Sequence, residues 1–168
     1  LSSLANDINY FGTDPNYELT ECLEKMSDDF ILSTKSKSKV DIKSIGSEEY
    51  IKEWDNKIGL AFSSPPYFDL EHYNIGKQSI NNCSYKQWIN GYWTDTVSNI
   101  DKYLIKGGYF LLNMKNIKKH DTLDDMCSVI KEKGFKFVED LELKNINRIF
   151  LKQNGKNTNE VVSVFRKI

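Results

Sequence analysis

The sequence predicts an α/β protein with a mostly parallel, doubly wound sheet that ends in an antiparallel hairpin. Strand-like apolar segments alternate with amphipathic helical segments along most of the chain, which is typical of this class. After the last helical segment, strand-like segments follow one another without a helix between them, which favours antiparallel pairing. With 168 residues and 39% apolar residues, the chain has room for one domain, residues 1–168, with a sizeable core.

The first half of the chain contains three strand-like segments, at residues 8–12, 40–45 and 58–62. Helical segments lie between them. The first has Leu19, Leu23 and Met26 on one face, and the second contains Trp54. Residues 1–6 look like the end of a further helix.

The second half begins with Ser84-Tyr85-Lys86-Gln87, which has the form of a capping box and predicts the start of a helix. Helical spacing continues to Leu104, and Gly107-Gly108 is expected to end this helix. Residues 109–114 are nearly all apolar, which predicts a strand buried on both faces. Another helix is expected from Thr122 to Gly134. The remaining strand-like segments are residues 135–143, 149–153 and 161–165.

Composition and charge narrow the class of protein. A formal net charge of −1 gives no overall basic field, so contacts with nucleic acid require local patches. No segment reaches the roughly 20 apolar residues of a membrane span, and no secretory signal is visible. Cys22, Cys83 and Cys127 form no C-x-x-C pair, so we expect an intracellular protein with reduced cysteines that serve in packing. Two histidines and scattered cysteines give no credible metal site.

The segment most informative about chemistry is Ser63-Ser64-Pro65-Pro66-Tyr67-Phe68, directly after the third predicted strand. Two successive prolines end a strand, donate no backbone hydrogen bond and hold the carbonyls around them in one direction. A rigid set of acceptors beside an aromatic ring suits a flat, amine-bearing substrate such as a nucleobase. An ordinary turn at a strand end is the alternative that the short motif alone leaves open.

Ser64-Pro65-Pro66-Tyr67 resembles the catalytic signature of the S-adenosylmethionine-dependent amino-methyltransferases of DNA, in which Asp, Asn or Ser precedes Pro-Pro and then Tyr or Phe. The resemblance implies a Rossmann-like methyltransferase fold, S-adenosylmethionine as cofactor, and methylation of an exocyclic base amine in DNA, as in restriction-modification. The serine form is most typical of cytosine enzymes. In these roles Ser64 Oγ and the Pro65 carbonyl bind the amine hydrogens, Pro66 completes the rigid corner, and Tyr67 stacks on the extruded base.

The resemblance extends to residues that would hold the cofactor. It implies that Asp14, after the first predicted strand, accepts hydrogen bonds from the ribose hydroxyls. It also implies that Ser47 or Glu48 meets the adenine amine, and Ser63 is a further candidate on this side. A turn that starts a helix is the alternative for Asp14, and solvation of a loop is the alternative for Ser47 and Glu48.

One part of the family's pattern is missing. The first strand of that fold and its glycine-rich loop, which holds the methionine part of the cofactor, should precede Leu1. We therefore expect an N-terminally truncated chain whose sheet lacks its central strand, or a pocket that a partner subunit completes. A methyltransferase-fold binding subunit without turnover is the alternative that this absence leaves open.

The resemblance implies DNA as the partner, with RNA or an adenine target as the alternative, and no membrane. The long polar and aromatic segment at residues 68–79 is typical of a functional loop, and basic residues follow the strand at residues 109–114. Candidate contacts with nucleic acid are Phe68, His72, Tyr73, Lys115, Lys118 and Lys119. Exposure to solvent is the alternative for His72 and for the lysines.

Overall fold

The computed structural model describes residues 1–68, 83–116, 119–143 and 160–168. The strands are β1 (Tyr10–Thr13), β2 (Val40–Lys43), β3 (Ile58–Ser63), β4 (Leu104–Asn113), β5 (Phe135–Leu143) and β6 (Glu160–Lys167). The helices are α1 (Ser2–Ala5), α2 (Tyr17–Thr34), α3 (Tyr85–Trp88), α4 (Thr94–Tyr103) and α5 (Thr122–Glu132), with a 3-10 turn at Lys52–Trp54 and a π-helical segment at Ile89–Trp93. The predicted α/β class is confirmed.

The strands form two sheets that are not hydrogen-bonded to each other within the described residues. β1 and β2 pair in parallel, and the second sheet has the order β3-β4-β6-β5. In that sheet β3 and β4 are parallel, while β6 lies between β4 and β5 and is antiparallel to both. Parallel pairing early in the chain and antiparallel pairing at its end are therefore confirmed. The two sheets are separated between β1 and β3, and both of these strands line one cavity.

The main core is built by the four-stranded sheet and by the helices from α3 to α5. Trp93, Phe110, Met126 and Phe165 are all completely buried in it. The indole Nε1 of Trp93 donates a hydrogen bond of 3.1 Å to the Met126 carbonyl, which satisfies the one polar atom of this side chain. The prediction that residues 109–114 are buried on both faces is wrong, because Tyr109 is 40% exposed while alternate residues lie in the core.

A smaller cluster joins the two sheets. The Trp54 ring makes edge contacts with Phe11 of β1 and with Tyr103 of α4, at centroid distances of 5.4 Å and 5.5 Å. The Trp54 Nε1 donates to Asp41 Oδ2 at 2.7 Å, and the Ile51 backbone N–H donates to the Tyr103 hydroxyl at 2.7 Å. Trp54 was predicted in a helix, and it ends a short 3-10 turn. The position of β1 and β2 beside the larger sheet thus depends on this aromatic cluster.

Local signals fix several helix ends, and the capping box at Ser84 and the helix end at Gly134 were predicted. The Ser84 Oγ accepts from the Gln87 backbone N–H and the Gln87 side chain accepts from the Ser84 N–H, which completes the capping box. Asn16 caps α2 by accepting from the Leu19 N–H at 3.2 Å. Gly134 follows α5 with φ of +93°, a conformation that glycine adopts without strain.

The helix expected to continue to Gly107-Gly108 ends at Tyr103 instead. Leu104 is completely buried and pairs in parallel with Ile58, so burial and strand pairing replace the last turn of the predicted helix. Gly107 has φ of +80° and makes an irregularity within β4. A Cβ built on Gly108 would lie 3.1 Å from the Gly59 carbonyl oxygen, so this glycine permits the close approach of β3 and β4.

Three further predictions need correction or fall outside the described residues. The first strand runs over Tyr10–Thr13, two residues later at its start than predicted. Cys22 is exposed and is therefore no packing residue, whereas Cys83 and Cys127 are half-buried against the main core. None of the three forms a disulfide with another described residue. The predicted strand at residues 149–153 lies outside the described residues.

Candidate active site

A cavity of about 2070 Å³ occupies the space between β1 and β3. Every residue of both strands lines it, together with the segments that follow β1, β2 and β3. On β3, the edge strand of the described four-stranded sheet, Leu60 and Phe62 are two residues apart on one face and are 58% and 60% exposed, which makes an apolar patch on the cleft. The interruption of the sheet therefore leaves an open, partly apolar cleft with polar groups along its rim.

The Ser64-Pro65-Pro66 part of the predicted corner borders this cleft, whereas Tyr67 is half-buried against the main core and does not line the cavity. β3 ends at Ser63, and the four residues from Ser63 to Pro66 line the cavity. Ser64 is exposed, and within the described residues its hydroxyl has no hydrogen-bond partner. Pro65 is buried, so the backbone at the corner is held while the serine side chain stays accessible. An accessible hydroxyl on a rigid corner is able to bind a polar group that enters the cleft.

An aromatic cluster anchors the chain directly after the corner. The Phe68 ring lies 5.5 Å from the Tyr85 ring, 5.8 Å from the Trp88 ring and 6.1 Å from the His120 ring, measured between centroids. Tyr85 and His120 are stacked at 3.8 Å with an interplanar angle of 6°. The Tyr85 hydroxyl donates to Asp125 Oδ2 at 2.7 Å, and burial together with this carboxylate raises the pKa of Tyr85. Phe68 thus packs on the protein itself, and its contact with nucleic acid stays a prediction.

Asp14 lies at the carboxyl end of β1 and lines the cavity, half-buried. Its Oδ1 accepts a hydrogen bond of 2.8 Å from the Asn16 backbone N–H, which forms the turn that starts α2. The alternative of a turn residue is therefore realised at one oxygen. Within the described residues Oδ2 has no hydrogen-bond partner, so the second oxygen is available to a ligand.

Ser47 and Glu48 follow β2, the strand paired in parallel with β1, and line the same cleft. The Ser47 Oγ lies 2.9 Å from Thr96 Oγ1 and 3.4 Å from the Tyr92 hydroxyl, and the Asn99 side-chain amide donates to the Ser47 carbonyl at 3.0 Å. These contacts fix the Ser47 backbone to α4 and the π-helical segment, so the segment is not a freely solvated loop.

Glu48 carries an unusual oxygen. Its Oε2 is buried and makes no hydrogen bond to any described residue. The carboxylate folds back over Gly46, where an added Cβ would come within 2.6 Å of the carboxyl carbon. Burial, with the negative charge of Glu48 as a smaller contribution, raises the pKa of the Tyr92 hydroxyl, which keeps this phenol neutral. A buried carboxylate oxygen without a donor is a site where a ligand N–H or O–H would relieve a desolvation cost.

Sequence reasoning missed Tyr92 and Thr96, which line the cleft, and Asn99, which holds the Ser47 backbone. Tyr92 continues the helical spacing of the sequence, but the π-helical turn changes the direction of the side chains there. A signal was present in the sequence, since Thr96 and Asn99 are polar residues three apart on the side of the helix that carries Val97 and Ile100. Both are buried and turn toward Ser47.

The remaining candidate residues divide into two groups. Lys115 is exposed, and its Nζ lies 5.8 Å from the centroid of the Tyr67 ring. Lys119 is also exposed. His72, Tyr73 and Lys118 lie outside the described residues.

Two negative findings apply to the described part of the chain. There, no group of three or more His, Cys, Asp or Glu side chains is arranged to hold a metal ion. None of the described helices combines the length and hydropathy that crossing a membrane requires.

Comparisons with known proteins agree on the fold. No protein-family model matches the sequence, and no curated protein is similar to it. An S-adenosylmethionine-dependent methyltransferase of Methanosarcina mazei is 12% identical, with a TM-score of 0.65 over 99% of this chain and 85% of its own. A 30S ribosomal A1408 methyltransferase from an uncultured bacterium is 12% identical, with a TM-score of 0.58 over 98% of this chain and 79% of its own.

The chain has the Rossmann-like methyltransferase fold. The [4+2]-cyclase SpnF is also similar, at 11% identity and a TM-score of 0.62 over 99% of this chain and 70% of its own. A methyltransferase fold therefore does not by itself decide the reaction, and the function has to be argued from the site. A missing central strand was predicted for this fold, and the described sheet is interrupted between β1 and β3.

Proposed function

We propose that this chain is the catalytic part of an intracellular, S-adenosylmethionine-dependent methyltransferase that acts on an exocyclic base amine in DNA, with cytosine as the favoured target. The observation that carries the proposal is the position of the Ser64 corner. Its hydroxyl is accessible, has no hydrogen-bond partner among the described residues, and lies at the carboxyl end of a parallel strand on the rim of a large cleft. Open α/β sheets bind their ligands at this edge.

The corner supports a specific chemistry. The lone pair of an exocyclic amine is delocalised into the ring, which makes the nitrogen a poor nucleophile. Acceptors at Ser64 Oγ and the Pro65 carbonyl would bind the amine hydrogens and favour the localised lone pair. When bound, S-adenosylmethionine supplies an electrophilic methyl group. The protein then contributes mainly by positioning, which is worth about 7–11 kcal/mol in favourable cases, and Tyr67 would hold the extruded base by stacking, worth about 1–3 kcal/mol.

The cleft has groups that fit the cofactor. Asp14 Oδ2 has no partner in the described residues and suits a ribose hydroxyl. The buried Oε2 of Glu48 lacks a donor in the described part of the chain and suits the adenine amine, while the Ser47 hydroxyl is engaged with Thr96. Ser63, half-buried at the end of β3, lines the cavity near the corner. These residues lie on different elements around one cavity, as a pocket for an extended cofactor requires.

We further propose that a segment beyond residues 1–168, from the same protein or from a partner subunit, completes the sheet and the cofactor pocket. The support is the pair of strands β1 and β3, which both line the cleft without pairing to each other, together with the exposed Leu60 and Phe62. In titration calorimetry with S-adenosylmethionine, residues 1–168 alone should bind weakly and the completed protein tightly. Equal, tight binding by both would contradict this part of the proposal.

The test of the catalytic role is Ser64→Ala. Because the hydroxyl is exposed and no described residue is bonded to it, thermal unfolding should be unchanged. Methyl transfer from labelled cofactor should fall at least about tenfold, because the amine nitrogen becomes positive as the methyl group leaves the sulfonium, and a hydrogen bond to a charged group contributes about 1.5–3 kcal/mol. Ser128→Ala, an exposed serine of α5 that is bonded to the Asp124 carbonyl, is the matched control. An undiminished rate in Ser64→Ala would contradict the assigned role.

The same assay decides between target classes. Defined DNA and RNA pools are methylated by the completed protein, and the modified nucleoside is then identified. Methylcytosine in DNA supports the favoured target, whereas methyladenine or modified RNA supports the alternative substrates. No methyl transfer to either pool, together with cofactor binding, would support a binding subunit without turnover.

A further inference from the structure

Lys115 and Tyr67 occupy the same edge of the sheet. β3 and β4 are parallel, with Ser63 paired to Leu112. Both chains therefore leave the sheet side by side, and Tyr67 and Lys115 follow within a few residues of that pair. The Lys115 Nζ lies 5.8 Å from the Tyr67 ring centroid, within the range of a cation–π contact.

The backbone at Lys115 is held on both sides. Met114 before it is 1% exposed in the main core. Asn116 after it is tied to α5, because its Oδ1 accepts from the Leu123 N–H at 2.8 Å and its Nδ2 donates to Asp124 Oδ2 at 2.9 Å. The backbone of Lys115 is therefore held in place, while its side chain is exposed to solvent.

The charge of Lys115 is not neutralised by the described part of the protein. Within those residues no carboxylate lies within ion-pair distance of its Nζ, and the Tyr67 ring is its only partner. An exposed cation–π contact is worth about 0.5–1 kcal/mol. A phosphate oxygen offers a stronger, charge-assisted hydrogen bond, so the ammonium group would exchange the ring for a phosphate when one arrives.

We infer that Lys115 binds a backbone phosphate next to the nucleotide whose base stacks on Tyr67. The inference rests on the proposed function, because it takes nucleic acid as the substrate. A nucleotide presents a flat base and a phosphate a few ångströms apart, and the Tyr67–Lys115 pair presents a flat ring and a cation at a matching separation. Tyr67 thus supplies an affinity that is independent of salt, and Lys115 supplies one that salt weakens.

Salt dependence separates the two contributions. Binding of a fluorescent single-stranded oligonucleotide of twelve cytosine and thymine nucleotides to the intact protein is measured by anisotropy over a series of salt concentrations. The slope of log K against log salt reports the number of phosphates neutralised, at about 0.7 per phosphate for single strands. Lys115→Gln should reduce the magnitude of the slope by about 0.7, whereas Lys115→Arg should preserve it.

Two variants serve as controls. Lys106→Gln removes the same charge from an exposed position of β4 near the opposite end of that strand, where Leu104 pairs with Ile58, and should leave the slope unchanged. Tyr67→Ala should weaken binding at every salt concentration without changing the slope. An unchanged slope in Lys115→Gln, or an equal reduction in Lys106→Gln, overturns the inference while nucleic acid stands as the substrate. Wild-type binding that does not depend on salt overturns the proposed substrate itself, and this inference with it.

Discussion

Replacing Glu48 by methionine should make the protein more stable and a poorer binder of S-adenosylmethionine. The Glu48 Oε2 is buried and has no donor among the described residues. A buried polar atom without a partner costs about 1–3 kcal/mol. Only one of the two oxygens is in this state, so we expect a gain near the lower end, about 1 kcal/mol. Methionine keeps the length of the side chain and removes the charge.

The loss of affinity follows from the same oxygen. If the adenine amine donates to Oε2, the bond is charge-assisted and is worth about 1.5–3 kcal/mol. Its removal should weaken binding roughly tenfold to hundredfold, since about 1.4 kcal/mol corresponds to a factor of ten. Gly46→Ala provides an independent variant, because an added Cβ would come within 2.6 Å of the Glu48 carboxyl carbon and displace the carboxylate without deleting it.

The assay combines thermal unfolding of residues 1–168 with calorimetric titration of the completed protein. For a chain of this size, 1 kcal/mol corresponds to about 2–4 °C in Tm. Glu53→Met is the control, because it removes the same charge from an exposed position of the 3-10 turn. A Glu48→Met protein with an unchanged Tm and unchanged affinity would refute both the desolvation argument and the assignment of this oxygen to the cofactor.

Two further predictions concern stability. Gly107→Ala should lower the free energy of unfolding by about 1–2 kcal/mol in urea denaturation, because φ of +80° is strained for any residue with a Cβ, whereas Gly59→Ala meets no atom within 4 Å and should not. At Asp41, partial burial raises the pKa, but the hydrogen bonds from Lys43 and Trp54 outweigh it and leave the pKa lowered from 3.8. Its stabilising contribution is therefore present above pH 3.8 and is lost as the pH falls through the lower folded value. Asp41→Asn should destabilise the protein at pH 6 and differ less from wild type near pH 3, and an equal difference at both pH values would contradict this reasoning.

The interactions that sequence alone determined are short in range. Ser84 and Gln87 cap α3 from within one turn, and Asn16 caps α2 from its own first turn. Gly134 ends α5 because only glycine adopts φ of +93° without strain. The prolines after Ser64 end β3 where the motif predicted. In each case the preference for a helix end or a strand end comes from a few neighbouring residues, so the sequence predicts it without knowledge of the fold.

Longer-range contacts decided the features that sequence misjudged. Leu104 continues a helical pattern, but pairing with Ile58 and complete burial place it in β4. Tyr92 continues the same pattern, but the π-helical turn and the hydroxyls after β2 place it in the cleft. Cys22 was expected in the packing and is exposed on α2. Packing energies from distant parts of the chain outweigh propensities of a few tenths of a kcal/mol here.

By itself the sequence determined the α/β class, the order of most elements, and a rigid serine-proline corner at the end of a strand. Only the tertiary structure decided that this corner opens onto a cleft between β1 and β3, that Asp14 and Glu48 line the same cleft and each keep one oxygen without a partner among the described residues, and that Lys115 lies over Tyr67. The reason is physical. Whether a polar atom is paired or unpaired depends on which distant groups the fold brings within 3.5 Å, and no local pattern contains that distance.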